Sequence, residues 1–140
     1  MSPALLLDTH IALWLDSGDR RLRPATRKSI DECWRSGGTI YLSAISVWEI
    51  ALLCDLRRIA LDIALEGWID RFLARPGIDA VPLNIGAAAR AYRLDGFAHR
   101  DPADRLLIAT AMELGCPLVT YDARIARFAK RRRAGFAVLN

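Results

Sequence analysis

The sequence predicts an α/β fold in which a central parallel β-sheet is flanked by helices. Three observations carry that prediction. The run Ala4-Leu5-Leu6-Leu7 stops abruptly on Asp8, as a short strand buried on both faces does. Strand-like and helical patterns then alternate along the chain through short connections, the signature of right-handed βαβ units. Finally, 140 residues with 53% apolar side chains suffice for one conventional core, and with no repeat or linker a single domain over residues 1–140 is expected.

The elements follow in order. Ile11-Ala12-Leu13-Trp14-Leu15 starts a helical pattern that breaks at the turn-rich Asp16-Ser17-Gly18-Asp19-Arg20. Pro24 leads into a helix from Ala25 to Ser36, with Ile30, Cys33 and Trp34 on one face and Gly37-Gly38 closing it. Thr39 to Ser43 is β-branched and aromatic, and reads as a second strand. Helices are expected from Ser46 to Leu56 and from Ile63 to Leu73, the latter stopped by Pro76-Gly77. Ile78 to Leu83 is a third strand, and Asn84 caps a helix through Tyr92. A long amphipathic helix from Pro102 to Leu114 ends at Gly115. Cys116 to Thr120 is a fourth strand, Ala123 to Lys130 a helix, and Phe136 to Leu139 a last short strand.

Composition narrows the function classes. No apolar run is long enough to span a membrane, and the N-terminal run, which contains Asp8 and lacks a basic lead, is not a signal peptide. A cytoplasmic protein is expected. The three cysteines, Cys33, Cys54 and Cys116, are widely spaced and unpaired in pattern, so neither a disulfide framework nor a zinc site is indicated. A net charge of +4 suits an acidic partner such as nucleic acid. Of the 20 basic residues only Lys28 and Lys130 are lysines, a skew that favours bidentate phosphate contacts but that codon usage would also produce.

Five acids recur just after a strand or early in a helix: Asp8, Glu49, Asp101, Asp104 and Asp122. Singly, each has an ordinary explanation. Ser46 and Glu49 fit a capping box, Asp101-Pro102 an N-cap followed by proline, and Asp104 the favourable end of a helix dipole. Asp8 and Asp122 are equally placed to cap helices. Jointly they say more. In a parallel sheet the strand C-termini and helix N-termini share one edge, so these acids converge there. Ionised carboxylates brought together repel one another unless a cation neutralises them, and Mg²⁺ favours such hard oxygen ligands and phosphate substrates. The joint reading is a metal site suited to phosphodiester hydrolysis.

The segments LLLDTH, SAISVWEIA, HRDPADRLLIATA and LVTYD resemble, in that order, those of the PIN-domain ribonucleases, and most of all the VapC-type toxins of type II toxin–antitoxin systems. The resemblance spans nearly the whole chain, with HRDPADRLLIATA its most specific part. It implies a PIN-like three-layer α/β/α domain and an Mg²⁺- or Mn²⁺-dependent endoribonuclease. It maps the family's four acidic positions onto Asp8, Glu49, Asp104 and Asp122, as catalytic residues and metal ligands. Asp101 matches a further acid of the VapC-like block and either joins the metal site or only caps the helix, with capping preferred. The resemblance further implies a VapB-like antitoxin partner, a homodimer, and transfer RNA or ribosomal RNA as substrate. Ala103 departs from the pattern, standing where an aromatic residue is usual, which loosens the expected local packing.

Around the acids, Thr9 and Thr120 carry hydroxyls able to orient a carboxylate or cap a helix. Arg105 is a candidate contact for a scissile phosphate, or a salt-bridge partner for a neighbouring acid. His10 and His99 flank the motifs and receive no catalytic role. Arg127, Lys130, Arg131, Arg132 and Arg133 form the densest basic run, a weak candidate for RNA binding, and Arg20-Arg21-Arg23 is a weaker one. The apolar set Trp48, Leu52, Leu53, Leu56, Trp68, Ile69 and Phe72 divides between core and a groove for a partner helix.

Two alternatives compete. An aspartyl-nucleophile phosphatase wants a second aspartate two residues after Asp8, where this chain has His10, and a late lysine that is missing near the site. A non-catalytic RNA- or protein-binding module would share the basic charge but has no need of convergent acids.

Overall fold

The computed structural model describes residues 3–131 and 134–140. Five parallel strands, β1 (Ala4–Leu7), β2 (Thr39–Ser43), β3 (Ile78–Val81), β4 (Leu118–Val119) and β5 (Val138–Leu139), form one sheet in the order β3-β2-β1-β4-β5. The order runs outward from β1 in both directions, so the chain reverses its winding between β1 and β4. Such a reversal opens a crevice at the carboxyl ends of the two strands. Asp8 follows β1 there, and Thr120 and Asp122 follow β4.

Among the described residues seven helices connect the strands: α1 (Thr9–Ser17), α2 (Pro24–Arg35), α3 (Ala44–Asp55), α4 (Leu65–Leu73), α5 (Ile85–Arg90), α6 (Pro102–Leu114) and α7 (Ala123–Ala129). β1 is buried on both faces, as its unbroken leucines require. Leu5 and Leu7 join Ile11 and Leu15 of α1, Ile30 of α2 and the stacked Trp68 and Phe72 of α4 in one core. Leu6 points the other way, into a core with Leu107 and Ile108 of α6 and Ile125 of α7. α5 packs outside that layer, its alanines against Ala109 of α6. The three-layer arrangement follows. Among the described residues no helix is long and apolar enough to cross a membrane.

Several boundaries differ from expectation. β3 stops at Val81 and β4 has only two residues, since both lie where neighbouring strands run out of pairing partners. The start of α3 is the difference that matters. The Ser43 hydroxyl accepts the Ile45 N–H at 3.0 Å, so β2 turns directly into the helix with Ser43 as the N-cap. Ser46 is therefore not a cap, and the expected Ser46–Glu49 capping box does not form. Ser46 is buried inside the helix and accepts a hydrogen bond from the Thr9 hydroxyl at 3.1 Å. Glu49 lies in the second turn, free to face the crevice. Ala103 is buried in the core beneath α6.

Candidate metal centre

All five acids line one cavity of about 540 Å³ at the carboxyl edge of the sheet. Each is delivered differently. Asp8 ends β1 and caps α1, and both of its oxygens are engaged. Oδ1 accepts the Thr9 N–H at 2.7 Å, and Oδ2 accepts the Thr120 hydroxyl at 2.6 Å. Thr120 thus orients a carboxylate, and the Thr9 hydroxyl, which donates to Ser46, also lies within hydrogen-bonding reach of the Glu49 carboxyl. Asp101 caps α6, its Oδ1 accepting the Asp104 N–H at 3.1 Å. Asp122 caps α7 through the N–H groups of Arg124 and Ile125, at 2.8 and 3.1 Å. Pro102 at the start of α6 and Gly115 at its end, with φ of 65°, fix the helix that presents Asp104.

The electrostatics follow from this convergence. Burial pushes the Asp104 carboxyl up to about 7, and the charges of Asp8, Asp101, Asp122 and Glu49 push in the same direction. Burial raises Asp8 as well, against the opposing pull of its two hydrogen bonds. Glu49 is raised by burial, against the pull of a hydrogen bond from the Thr9 side chain, and further by Asp8 and Asp101. Asp122 alone goes the other way. Burial works to raise it, but the hydrogen bonds from Arg124 and the α7 N-terminus outweigh that and hold it below the ordinary carboxylate range. The cavity thus crowds carboxyl groups together, and among the described residues only Asp122, beside Arg124, and Asp104, beside His99, meet a basic side chain within 4 Å.

The donor set suits a hard divalent cation. It consists of carboxylate oxygens from separate rigid elements, the chemistry that Mg²⁺ and Mn²⁺ prefer. His99, Asp101 and Asp104 bring potential ligand atoms within 4.8 Å of one another. His99 is nevertheless a poor ligand in this arrangement. Arg124 Nη1, which can only donate, lies 2.9 Å from His99 Nδ1, so Nδ1 accepts and the ring proton sits on Nε2. That Nε2–H points at Asp104 Oδ2, 3.1 Å away. Arg124 also reaches Asp122 Oδ2 at 3.2 Å. A chain from Asp122 through Arg124 and His99 to Asp104 therefore links two of the acids.

Other expectations need correction. Arg105 does not line the cavity, and it pairs with no acid among the described residues. It is 4% exposed, and its guanidinium donates to the backbone carbonyls of His99, Ala91 and Phe97, with Tyr92 and Phe97 across its faces. Its work is to fasten the segment before α6. Of the basic run, Arg127, Lys130 and Arg131 do not line the cavity. Arg127 and Lys130 are at the far end of α7, roughly 10 Å of helix from Asp122. Arg131 donates to the Gly96 carbonyl at 2.7 Å, and Arg132 and Arg133 lie outside the described residues.

The cavity also holds residues to which the sequence assigned little or nothing: His99, Arg124, Arg21, Trp14 and Tyr121. Arg124, two residues after Asp122 in the first turn of α7, carries the one signal that position offers, a cation beside an acid. His99 carries only its proximity to Asp101. On α3, Trp48, Leu52 and Leu56 share an exposed stripe, while Trp68 and Phe72 belong to the core.

Comparison with known proteins adds three findings. Residues 5–131 match the family model of the PIN domain. The sequence is 35% identical over 121 residues to ribonuclease VapC22 of Mycobacterium tuberculosis, covering 86% of this chain and 88% of the relative. Among solved structures, the fold is similar to VapBC2 from Rickettsia felis bound to a promoter DNA fragment, with TM-score 0.70, 15% identity and 98% of each chain covered. It is also similar to FitAcB from Neisseria gonorrhoeae, with TM-score 0.61, 22% identity and 97% and 96% coverage.

Proposed function

This chain belongs to the PIN-domain family, and on that premise we propose that it is a VapC-type endoribonuclease, the toxin of a VapBC-type pair. It hydrolyses RNA phosphodiester bonds with Mg²⁺ or Mn²⁺ held by Asp8, Glu49, Asp104 and Asp122, with Asp101 contributing beside its capping role. One observation carries the reading. Five carboxylates delivered by separate elements line one cavity, where burial, and then the charges of Asp8, Asp101, Asp122 and Glu49, push Asp104 up to about 7, a crowding that a bound cation would relieve. When bound, a divalent cation supplies Lewis-acid stabilisation of charge on the attacking and leaving oxygens.

The chain's own residues prepare that chemistry. Thr120 and the Thr9 N–H fix both Asp8 oxygens in orientation while leaving lone pairs for a ligand. His99 holds one Asp104 oxygen through Nε2–H, and Arg124 holds the ring in that tautomer. Arg105 keeps the segment bearing His99 and Asp101 against α6. The partners that fit are an RNA substrate, of transfer or ribosomal type, and a VapB-like antitoxin. The exposed Trp48–Leu52–Leu56 stripe of α3 suits that antitoxin or a second copy of the chain in a homodimer, in the cytoplasm.

The test is cleavage of total bacterial RNA with Mg²⁺, with Mn²⁺ and with EDTA, beside Asp8→Asn. Discrete fragments that need both metal and Asp8 are expected. Cleavage that survives EDTA or Asp8→Asn would overturn the site.

A further inference from the structure

The rim of the acid cavity carries an aromatic step that phosphodiester hydrolysis itself does not require. Trp14, late in α1, is half-buried and borders two adjoining depressions: the acid cavity, and a larger cleft of about 860 Å³ that reaches α4. His10 and Arg21 border both as well. The two depressions differ in charge. The first gathers the five carboxylates, whereas the second sets Arg21, Arg58, Arg71 and Arg75 against Asp16, Asp19 and Asp62. Arg21, Arg71 and Arg75 are paired to those acids, and Arg58 is in no ion pair among the described residues.

Rings and guanidinium groups interleave at the step. The Trp14 ring centre lies 5.8 Å from that of His10 and 5.9 Å from that of Tyr121. The Arg21 guanidinium sits 5.1 Å over the indole, and that of Arg23 sits 4.1 Å over the Tyr121 ring. These groups are held in place. Asp19 accepts from Arg21 Nε and Nη2 at 3.1 and 2.8 Å, while the Tyr121 hydroxyl accepts the Arg23 N–H at 2.9 Å. Aromatic faces alternating with cations are how proteins hold single-stranded nucleic acid, with bases on the rings and phosphates on the cations.

We propose that Trp14 and Arg21 form a nucleotide subsite. The base adjoining the scissile phosphate stacks into the Trp14–His10–Arg21 layer, and the strand continues into the arginine cleft past Arg58. The subsite would select RNA segments whose bases are unstacked, as in loops. It rests on the ribonuclease reading, because the layer shares its cavity with the acids. A peptide occupant would find the same cations but gain nothing from a position beside a phosphodiester-cleaving site.

The experiment measures binding of a fluorescein-labelled single-stranded RNA of about ten nucleotides by anisotropy, in EDTA so that nothing is cut. Trp14→Ala is expected to weaken binding about 10-fold or more, Trp14→Phe to retain most of it, and Arg21→Ala to weaken it while lowering the salt slope by about one. Folding of each variant is checked by circular dichroism. Should Trp14→Ala not fold, Trp14→Leu replaces it, keeping apolar bulk without a stacking face. Equal affinity of Trp14→Phe and the non-aromatic variant would overturn the subsite. If wild-type protein cleaves total RNA and the Trp14 variants do so with unchanged KM, the subsite falls and the ribonuclease reading stands. If wild-type protein neither cleaves nor binds RNA, both fall.

Discussion

Asp8 and Asp16 stand at the two ends of α1, both turned inward, and are held in opposite ways. The Asp16 carboxyl is 6% exposed and surrounded by donors: Trp68 Nε1 at 3.1 Å, Arg71 at 2.8 Å and Arg75 at 3.3 Å. It lies at the helix end where a negative charge is least welcome, and the two arginines offset that. Asp8 has two neutral donors and faces other acids. A buried charge kept for structure is paired with cations, whereas Asp8 at the crevice is met by neutral donors and by other acids. On the proposed function, the difference between a structural and a functional carboxylate in this molecule is one of company, not of burial.

Substitutions at the two ends should therefore separate activity from stability. The largest effect is expected from Asp8→Asn, which should lower RNA cleavage at least about 1,000-fold, the scale seen when one member of a catalytic unit is lost. Asparagine caps a helix as well as aspartate does, and one repelling charge is removed, so urea denaturation of the metal-free variant should show equal or greater stability. Asp16→Ala should do the reverse. Denaturation should show a loss of about 2–3 kcal/mol, less than a fully buried pair would cost because Arg71 and Arg75 remain partly solvated. Cleavage by the folded fraction should be unchanged, and a large fall in its turnover would break the comparison.

Two smaller effects sharpen it. Thr120→Val removes the hydroxyl from Asp8 Oδ2 and should weaken Mn²⁺ affinity about 10- to 100-fold by calorimetry, with little change in melting temperature. The last effect is one of pH. Asp104 keeps its proton to about 7 in the folded chain, against an ordinary value of 3.8 in the unfolded chain. Folding then takes up a proton between those values, so metal-free stability should fall as pH rises from about 4 to 7 and level off above. Melting curves at pH 5 and pH 8 should show the lower melting temperature at pH 8. Mg²⁺ should raise the pH 8 value more, because it binds the ionised cluster.

Much of this was legible in the chain because the physics was local. An unbroken apolar run ending on an acid marks β1 and Asp8, and Asp101-Pro102 with Gly115 brackets α6 almost to the residue. Convergence of the acids followed from parallel topology alone. What was not legible depends on direction in space. Ser46 scans as a cap, but whether a chain turns at Ser43 or three residues later is decided by where β2 stops pairing with its neighbours. Arg105, adjacent to Asp104 on a helix, points some hundred degrees away from it and finds carbonyls instead of acids. His99 acquires its place from Arg124, which is 25 residues distant. Trp14 carries helix periodicity whether it faces core or crevice.

The Arg105 clamp has a consequence for how freely the protein's surface can change. It grips the carbonyls of Ala91, Phe97 and His99, and every residue type supplies a carbonyl. Side chains between them that face solvent, such as Arg93 and Asp95, can be exchanged without loosening the anchor or shifting Asp101 and Asp104. The outer face of the segment is thereby decoupled from the cavity beneath it. A lineage can redraw that face to suit new partners while the acids stay where they are.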